Sequence, residues 1–440
     1  MSIENNVSKN ILWNILEKSV NFLNSLFVIF ILTNYFGSSL FGFYSYVISI
    51  VSLVSFVAYF GLESVLVNEF VRKKFNTKEL LGTSIILLFA SSSLAFILIC
   101  FVNYIFIDDK SLSILIYIYG GMVFAAPLNI FYIYFNSKID LIAISKIKII
   151  LLVLILIIKI LLVYFNLKIL AFIIMELITI LSIAFVSLFA YLYKGYKLSF
   201  QFKISTLFYL IKKGIPLMIS AGAIVIYGKV DTILIEYFLD MNEVGVYSVA
   251  LRISELWYVV PMSISAIFLP TIVKAKKTSK AAYYQQVSMC SQIMVVVCML
   301  FTITLIFLIS NVIHIFLSED YINVGSLIMI LAWCGPFVGL GYINGGCMVI
   351  ENYLYLTMKR NIYGMIINIV LNIILIPKYG IHGAAFSTLI AVIYTSMISL
   401  YLYKRTRIFF TTQLKAFYYA ANLLNFKRNI KAIEKNNQSI

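Results

Sequence analysis

The sequence predicts an all-α polytopic membrane protein with about twelve transmembrane helices in two six-helix lobes related by a pseudo-twofold axis. Three observations predict it. The 440 residues are 62% hydrophobic and only 12% charged, whereas soluble domains are about half apolar and about a quarter charged. Apolar runs of roughly 20 residues, each long enough to cross a ~30 Å hydrocarbon layer, recur along the whole length. The second half of the chain also repeats features of the first.

The runs fall at about 11–34, 42–63, 81–105, 112–135, 142–164, 169–192, 215–238, 245–270, 287–310, 325–350, 361–377 and 382–403. The gaps between them are too short for a soluble domain. The polar opening MSIENNVSKN has no small-residue cleavage site, and Glu17 and Lys18 interrupt the first run. That pattern predicts a retained helix instead of a signal peptide. The tail, 405–440, is basic. Its stretch FFTTQLKAFYYAANLLNF is too polar to span and is expected to form an interfacial amphipathic helix. VNEFVRKKFNTKEL, between the second and third runs, reads the same way.

The basic residues set the orientation. With the N-terminus inside, 27 Lys and Arg fall in inner segments and three (Lys110, Lys168, Lys378) in outer ones. Lys138, Lys146 and Lys148, the latter two at the inner end of the fifth run, are counted with the inner segments, and four more are counted within spans: Lys18, Lys159, Lys229 and Arg252. This is the positive-inside pattern, and one missed helix would scramble it. Both termini are therefore expected in the cytoplasm. The net charge of +16 follows from this bias and suits an anionic inner leaflet. Nucleic-acid binding is excluded as an explanation, because the basic residues are spread over many short loops.

Catalytic chemistry finds no support. The five cysteines all lie in expected spans and form no CxxC pair, and His314 and His382 are isolated. There is no nucleophile–base arrangement, P-loop or nucleotide fingerprint. The expectation is a protein that is not an enzyme, with no catalytic residue, metal site or cofactor.

GSSLFGFYSYVISIVSL (37–53) and DMNEVGVYSVALRISEL (240–256) align at an offset of 203. Gly42, Tyr44, Ser45, Ile50 and Leu53 meet Gly245, Tyr247, Ser248, Ile253 and Leu256. The aromatic endings TNYF and IEYF precede the two copies. The offset lays the first span on the seventh. The expected lobes are therefore 1–196 and 197–404, a parallel repeat about an axis along the membrane normal. Carriers of this kind bind substrate between lobes near mid-membrane and rock around it.

Charges inside the spans are the candidate functional residues. A charge at the bilayer centre costs roughly 2.5–3.5 kcal/mol on insertion scales, so it must face a wet cavity or a partner. Asp231 and Arg252 lie at similar depths on the seventh and eighth spans, as do Lys229 and Glu255, so either pair could form. The matching positions of the first copy are Leu26 for Lys229, Val28 for Asp231, Ser49 for Arg252 and Ser52 for Glu255. The same helix pair is thus built there without charge. Lys229 is the better cavity residue, and Asp231 with Arg252 the better structural pair. Glu17 and Lys18 occupy the first span, which corresponds to the seventh, and are expected to border the same cleft. Lys159 and Glu176 are expected to pair, while Glu63 and Glu236 sit near span ends. In the tenth span, Gly335, Pro336 and Gly339 read as a close-packing stripe and as hinge candidates.

Several blocks resemble the polysaccharide-transporter branch of the multidrug/oligosaccharidyl-lipid/polysaccharide exporter superfamily. They are KVDTILIEYFLDMNEVGVYSVALRISELWYVVP (229–261), NIVLNIILIPKYGIHGAAFSTLI (368–390) and LTNYFGSSLFGFYS (32–45). The resemblance implies a flippase for O-antigen or capsule repeat units in the bacterial inner membrane. It implies a substrate linked to undecaprenyl diphosphate and moved to the outer leaflet by alternating access through a cationic cleft. Lys18, Lys229 and Arg252 are then the candidates for the diphosphate, since Lys and Arg supply charge-assisted hydrogen bonds. Glu17, Asp231 and Glu255 would hold these cations, bind sugar hydroxyls or take up protons, with H+ or Na+ coupling left open. A polysaccharide polymerase and a chain-length regulator are the implied protein partners. The rival readings are a multidrug exporter of the same superfamily, which wants an acidic pocket, and a lipid II flippase, which usually adds two helices. A membrane glycosyltransferase or polymerase would want catalytic acids and a large outer loop.

Overall fold

The computed structural model describes residues 2–138 and 142–421. Among them, ten helical stretches are long and apolar enough to cross a membrane, and the bent pair Glu319–Leu331 and Cys334–Ile350, at 46°, adds an eleventh. The longest stretch, Leu16–Arg72, holds 57 residues, or about 85 Å of helix, far more than one crossing needs. Gly37, at φ 68° and ψ 177°, breaks it, because only glycine enters that region cheaply. The expected twelve crossings follow.

By contacts the chain forms two compact units, residues 1–248 and 249–440. In the first unit the helices are α1 (Ser2–Phe27), α2 (Thr33–Tyr59), α3 (Leu62–Arg72), α4 (Thr77–Phe106), α5 (Lys110–Gly120) and α6 (Asn129–Ser137). They are followed by α7 (Ile142–Tyr164), α8 (Ile169–Tyr193), α9 (Ile204–Phe238) and the opening of α10 (Met241–Glu255). Asn76 caps α4 by accepting from the Lys78 amide at 3.1 Å, and Asp109 caps α5 by accepting from Ser111 at 2.7 Å. The α2–α3 corner is made by consecutive left-handed residues, Phe60 and Gly61. The helix α3 does form in the VNEFVRKKF stretch. Its Leu62, Val65 and Leu66 are covered by protein, in one cluster with Ile130, Tyr134 and Leu210.

Four glycine contacts tie α9 and α10 to α2 and the corner after it. A Cβ on Gly214 would lie 2.8 Å from the Phe60 carbonyl oxygen, and one on Gly222 would lie 2.6 Å from the Phe56 ring. A Cβ on Gly42 would lie 1.8 Å from the Met241 carbonyl oxygen, and one on Gly245 would lie 2.0 Å from the Ser38 carbonyl oxygen. Ser38 and Met241 are themselves repeat equivalents (241 − 38 = 203). The two copies therefore meet through a contact that is its own symmetry mate, and Ser38 Oγ donates to Asn242 Oδ1 beside it. Because α9 packs on α2, the contact boundary falls within the second copy, after Ser248.

The second unit continues with α11 (Val259–Thr278), α12 (Lys280–Phe316), α13 (Val324–Leu331), α14 (Cys334–Ile350), α15 (Leu354–Tyr379), α16 (Ile381–Ile393), α17 (Ser399–Leu402) and α18 (Arg407–Ala421). Trp257, Tyr283, Met294, Ile343 and Phe409 form its main core. Buried amides run through it: Asn344 donates to the Ser396 carbonyl at 2.8 Å, and Asn372 to the Asn368 carbonyl at 2.9 Å. The helical part of the tail is α18. Its Ala416 packs with Val295 and Leu340, and Phe417 lies 5.6 Å from Phe337. Residues 422–440, the rest of the expected tail, lie outside the described residues.

Candidate functional site

The first unit holds its in-span charges in hydrogen-bonded clusters. Glu176 on α8 accepts from Lys159 on α7 and from the Tyr44 hydroxyl on α2, both at 2.7 Å. The expected Lys159–Glu176 pair is thus formed, with a tyrosine as third member. Lys159 is 5% exposed and Tyr44 1%. In a low-dielectric bundle such a pair persists only when its spare lone pairs and protons are satisfied. Tyr44→Phe is expected to lower stability by about 1–2 kcal/mol, the loss of one hydrogen bond to a charged acceptor inside a membrane bundle. Thermal unfolding of the detergent-solubilised protein reads it.

Asp231 on α9 has the same kind of partner. Tyr247, fully buried on α10, donates to it at 2.7 Å, and Asp231 is 1% exposed. Tyr44 and Tyr247 are repeat equivalents, so each copy uses its matched tyrosine to hold a carboxylate within the bundle. Nearer the end of α9, Glu236 accepts from Tyr46 at 3.2 Å.

Glu17 on α1 accepts from Ser145 at 2.7 Å and pairs with Lys148 at 3.5 Å, both on α7. Lys148 also lies over the Tyr132 ring, 4.3 Å from its centroid. Counted by sequence with the inner loops, Lys148 is instead 8% exposed within the bundle. Lys18, next to Glu17, is half-buried and has no ion-pair partner among the described residues. Its neighbour's carboxylate is already committed to α7.

Lys229 is half-buried on α9 in the first unit. Arg252, half-buried, and Glu255, exposed, lie on α10 in the second. In that unit Gly335 and Gly339 of α14 are closely packed. A Cβ on Gly335 would lie 2.0 Å from Trp257, and one on Gly339 would lie 2.7 Å from the Cys298 sulfur. Pro336 occupies the first turn of α14, where its missing N–H costs nothing. The 46° bend falls just before it, between α13 and α14.

Outside the spans, Lys138 meets the Tyr134 hydroxyl and lies over the Tyr134 and Tyr196 rings at 4.3 and 5.0 Å. Burial lowers its pKa, the two tyrosines raise it, and the net shift is upward. A fixed cation therefore stands at the basic end of the bundle.

Sequence reasoning missed the tyrosine bonds to Glu176 and Asp231, although the matched GxYS blocks pointed to Tyr44 and Tyr247. It also missed a cavity of about 730 Å³ in the first unit, lined in part by Asn129 and Asn136 of α6. Two amides seven apart lie on one helical face, and that spacing was the available signal.

Residues 7–275 match the family described as polysaccharide biosynthesis protein. A probable flippase, AglR of Haloferax volcanii, is 27% identical over 176 residues, which is 39% of this chain and 37% of that protein. Among solved structures, the lipid II flippase MurJ in its inward closed conformation superposes with a TM-score of 0.71 at 17% identity. That match covers 96% of this chain and 95% of MurJ. An inward-facing multidrug resistance transporter of the MATE family, in the MOP superfamily, gives 0.62 at 16% identity over 89% of this chain and 94% of its own. At these identities the structural likeness establishes the fold. The named matches are flippases and transporters, not enzymes. With residues 7–275 matching the family model, the chain belongs to the polysaccharide biosynthesis protein family, and it shares the fold of MurJ and the MATE transporter.

Proposed function

We propose that the protein is a flippase for oligosaccharides linked to undecaprenyl diphosphate. It carries them from the cytoplasmic to the outer leaflet of the bacterial inner membrane by alternating access. In the outer leaflet a polymerase and a chain-length regulator take up the product for O-antigen or capsule. Both termini face the cytoplasm, in keeping with the 27-to-3 distribution of basic residues.

The observation that carries this reading is the state of Lys18. Glu17 is paired with Lys148 and accepts a hydrogen bond from Ser145, so the neighbouring ammonium keeps its charge for something else. A half-buried cation in a membrane helix is costly unless it meets an anion. A diphosphate headgroup supplies one, through charge-assisted hydrogen bonds. Lys229 and Arg252 extend the same cationic chemistry. Two carboxylates inside the spans are held by protein donors, Asp231 by Tyr247 and Glu176 by Lys159 and Tyr44. That arrangement does not favour the acidic pocket a cationic drug would want.

A leaflet assay in proteoliposomes tests the proposal. Defined undecaprenyl-diphosphate oligosaccharides are expected to cross faster than in protein-free vesicles, with a cationic dye and lipid II left behind. Imposed sodium or pH gradients in the same vesicles read ion coupling. Transport of the dye or of lipid II, without the lipid-linked oligosaccharide, would overturn the proposal.

A further inference from the structure

The cavity of about 730 Å³ lies wholly within the first unit, between the end of α2, α3, α6 and α9. Its size falls in the range of small-ligand sites. Its chemistry does not match the apolar bundle around it. From α6, Asn129, Ile133 and Asn136 project along one face. From α3, Ser64 and Asn68, four apart, do the same, with Glu63 beside them. Phe56 and Tyr59 of α2 contribute ring surface, and Ser220 faces them from α9.

No hydrogen bond or ion pair to a described residue engages the side chains of Glu63, Asn68, Asn129 or Asn136. Glu63 and Asn68 are exposed and Asn129 and Asn136 half-buried, so their hydrogen-bonding groups are open to a polar occupant of the cavity. The lining holds no Lys or Arg, and Glu63 is its one charged group. A phosphate is therefore repelled. A neutral, hydroxyl-rich ligand fits: hydroxyls donate to the carboxylate, amides both give and accept, and aromatic faces cover the apolar side of a sugar ring.

The wall is rigid. Gly61, at φ 62°, brings the α2–α3 corner so close to α9 that a Cβ there would lie 2.5 Å from the Met218 nitrogen. Val225 of α9 lines the cavity, and Lys229 lies four residues further along the same face. The cavity and a candidate phosphate-binding cation are thus about one helical turn apart.

We propose that this cavity is the sugar subsite, holding neutral sugars of the headgroup while the cations beyond it take the diphosphate. The assignment rests on the flippase reading for its role in transport. The test is saturation-transfer NMR on the full chain in nanodiscs, with a panel of free hexoses and N-acetylhexosamines. Sugar-free undecaprenyl diphosphate is measured separately by thermal stabilisation. Two variants are compared: Asn129→Ala with Asn136→Ala, which removes two hydrogen-bonding amides, and Ala221→Phe, which fills the space and leaves every polar group in place. At least one sugar is expected to bind, about tenfold more weakly in the double alanine variant, the loss expected from two neutral hydrogen bonds, and at least as weakly in Ala221→Phe, whose ring occupies the space the sugar needs. Stabilisation by the sugar-free lipid stays unchanged. If no sugar in the panel binds, or if both variants bind as the parent does, the subsite is overturned. Sugar binding that behaves as expected, alongside no stabilisation by the lipid, supports the cavity and counts against the flippase reading instead.

Discussion

Replacing Lys18 by alanine and Lys229 by leucine in one chain is expected to cut transfer of lipid-linked oligosaccharide by about 10²–10⁴-fold, while the protein still reaches the membrane. Each ammonium contributes a charge-assisted hydrogen bond to the diphosphate, worth roughly 1.5–3 kcal/mol, and about 1.4 kcal/mol is tenfold. The replacements are those the repeat itself carries. At the offset of 203, Leu26 stands opposite Lys229 and Ala221 opposite Lys18. Each helix position therefore tolerates the smaller or apolar residue in its other copy, which separates loss of function from loss of fold. Each single variant should lose about 10–100-fold. Lys229→Arg should retain most of the activity, because it keeps the charge and the donors. The leaflet assay gives the rate, and surface polysaccharide gives the cellular readout. Wild-type transfer in the double variant would remove cations from the mechanism.

The crossings were legible because a hydrocarbon layer imposes one length on every span. The ends were less so. The seventh apolar run begins at 215, but α9 starts at Ile204, because Lys212, Lys213 and Pro216 depress the hydropathy of a helix that continues past them. Composition alone cannot separate a lysine at the edge of a bundle from one in a loop. Lys148 was misplaced for that reason, and its partner Glu17 lies 131 positions away. Pairing at short separation was readable: Lys159 and Glu176 are 17 apart on consecutive helices. Tyr44 reaches the same carboxylate from 132 positions away, and no local pattern encodes that. The duplication carried more than topology. It matched Tyr44 with Tyr247, and it matched the two glycines that the fold brings face to face.

Those glycines support the second large effect: Gly245→Leu is expected to abolish transport and to prevent the packing of α10 on α2 seen here. The clash is at the Cβ, 2.0 Å from the Ser38 carbonyl oxygen, so no rotamer of the new side chain relieves it. The helices must separate by more than 1 Å, roughly the shortfall from ordinary van der Waals contact, and the Ser38–Asn242 hydrogen bond is lost with them. Gly42→Leu should do the same from the other side, because Gly42 meets Met241 as Gly245 meets Ser38. Cysteines introduced in place of Ser38 and Asn242 provide the measurement. In the parent they should cross-link readily, and in either leucine variant the cross-link should fall to background. Gly325→Leu is the control: nothing lies within 4 Å of where its Cβ would be, so an equal loss there would mean that bulk anywhere, not the contact between the two copies, stops the protein. Cross-linking that survives Gly245→Leu would show that α2 and α10 do not depend on this backbone approach. The repeat would then account for the origin of the chain without explaining how its halves meet.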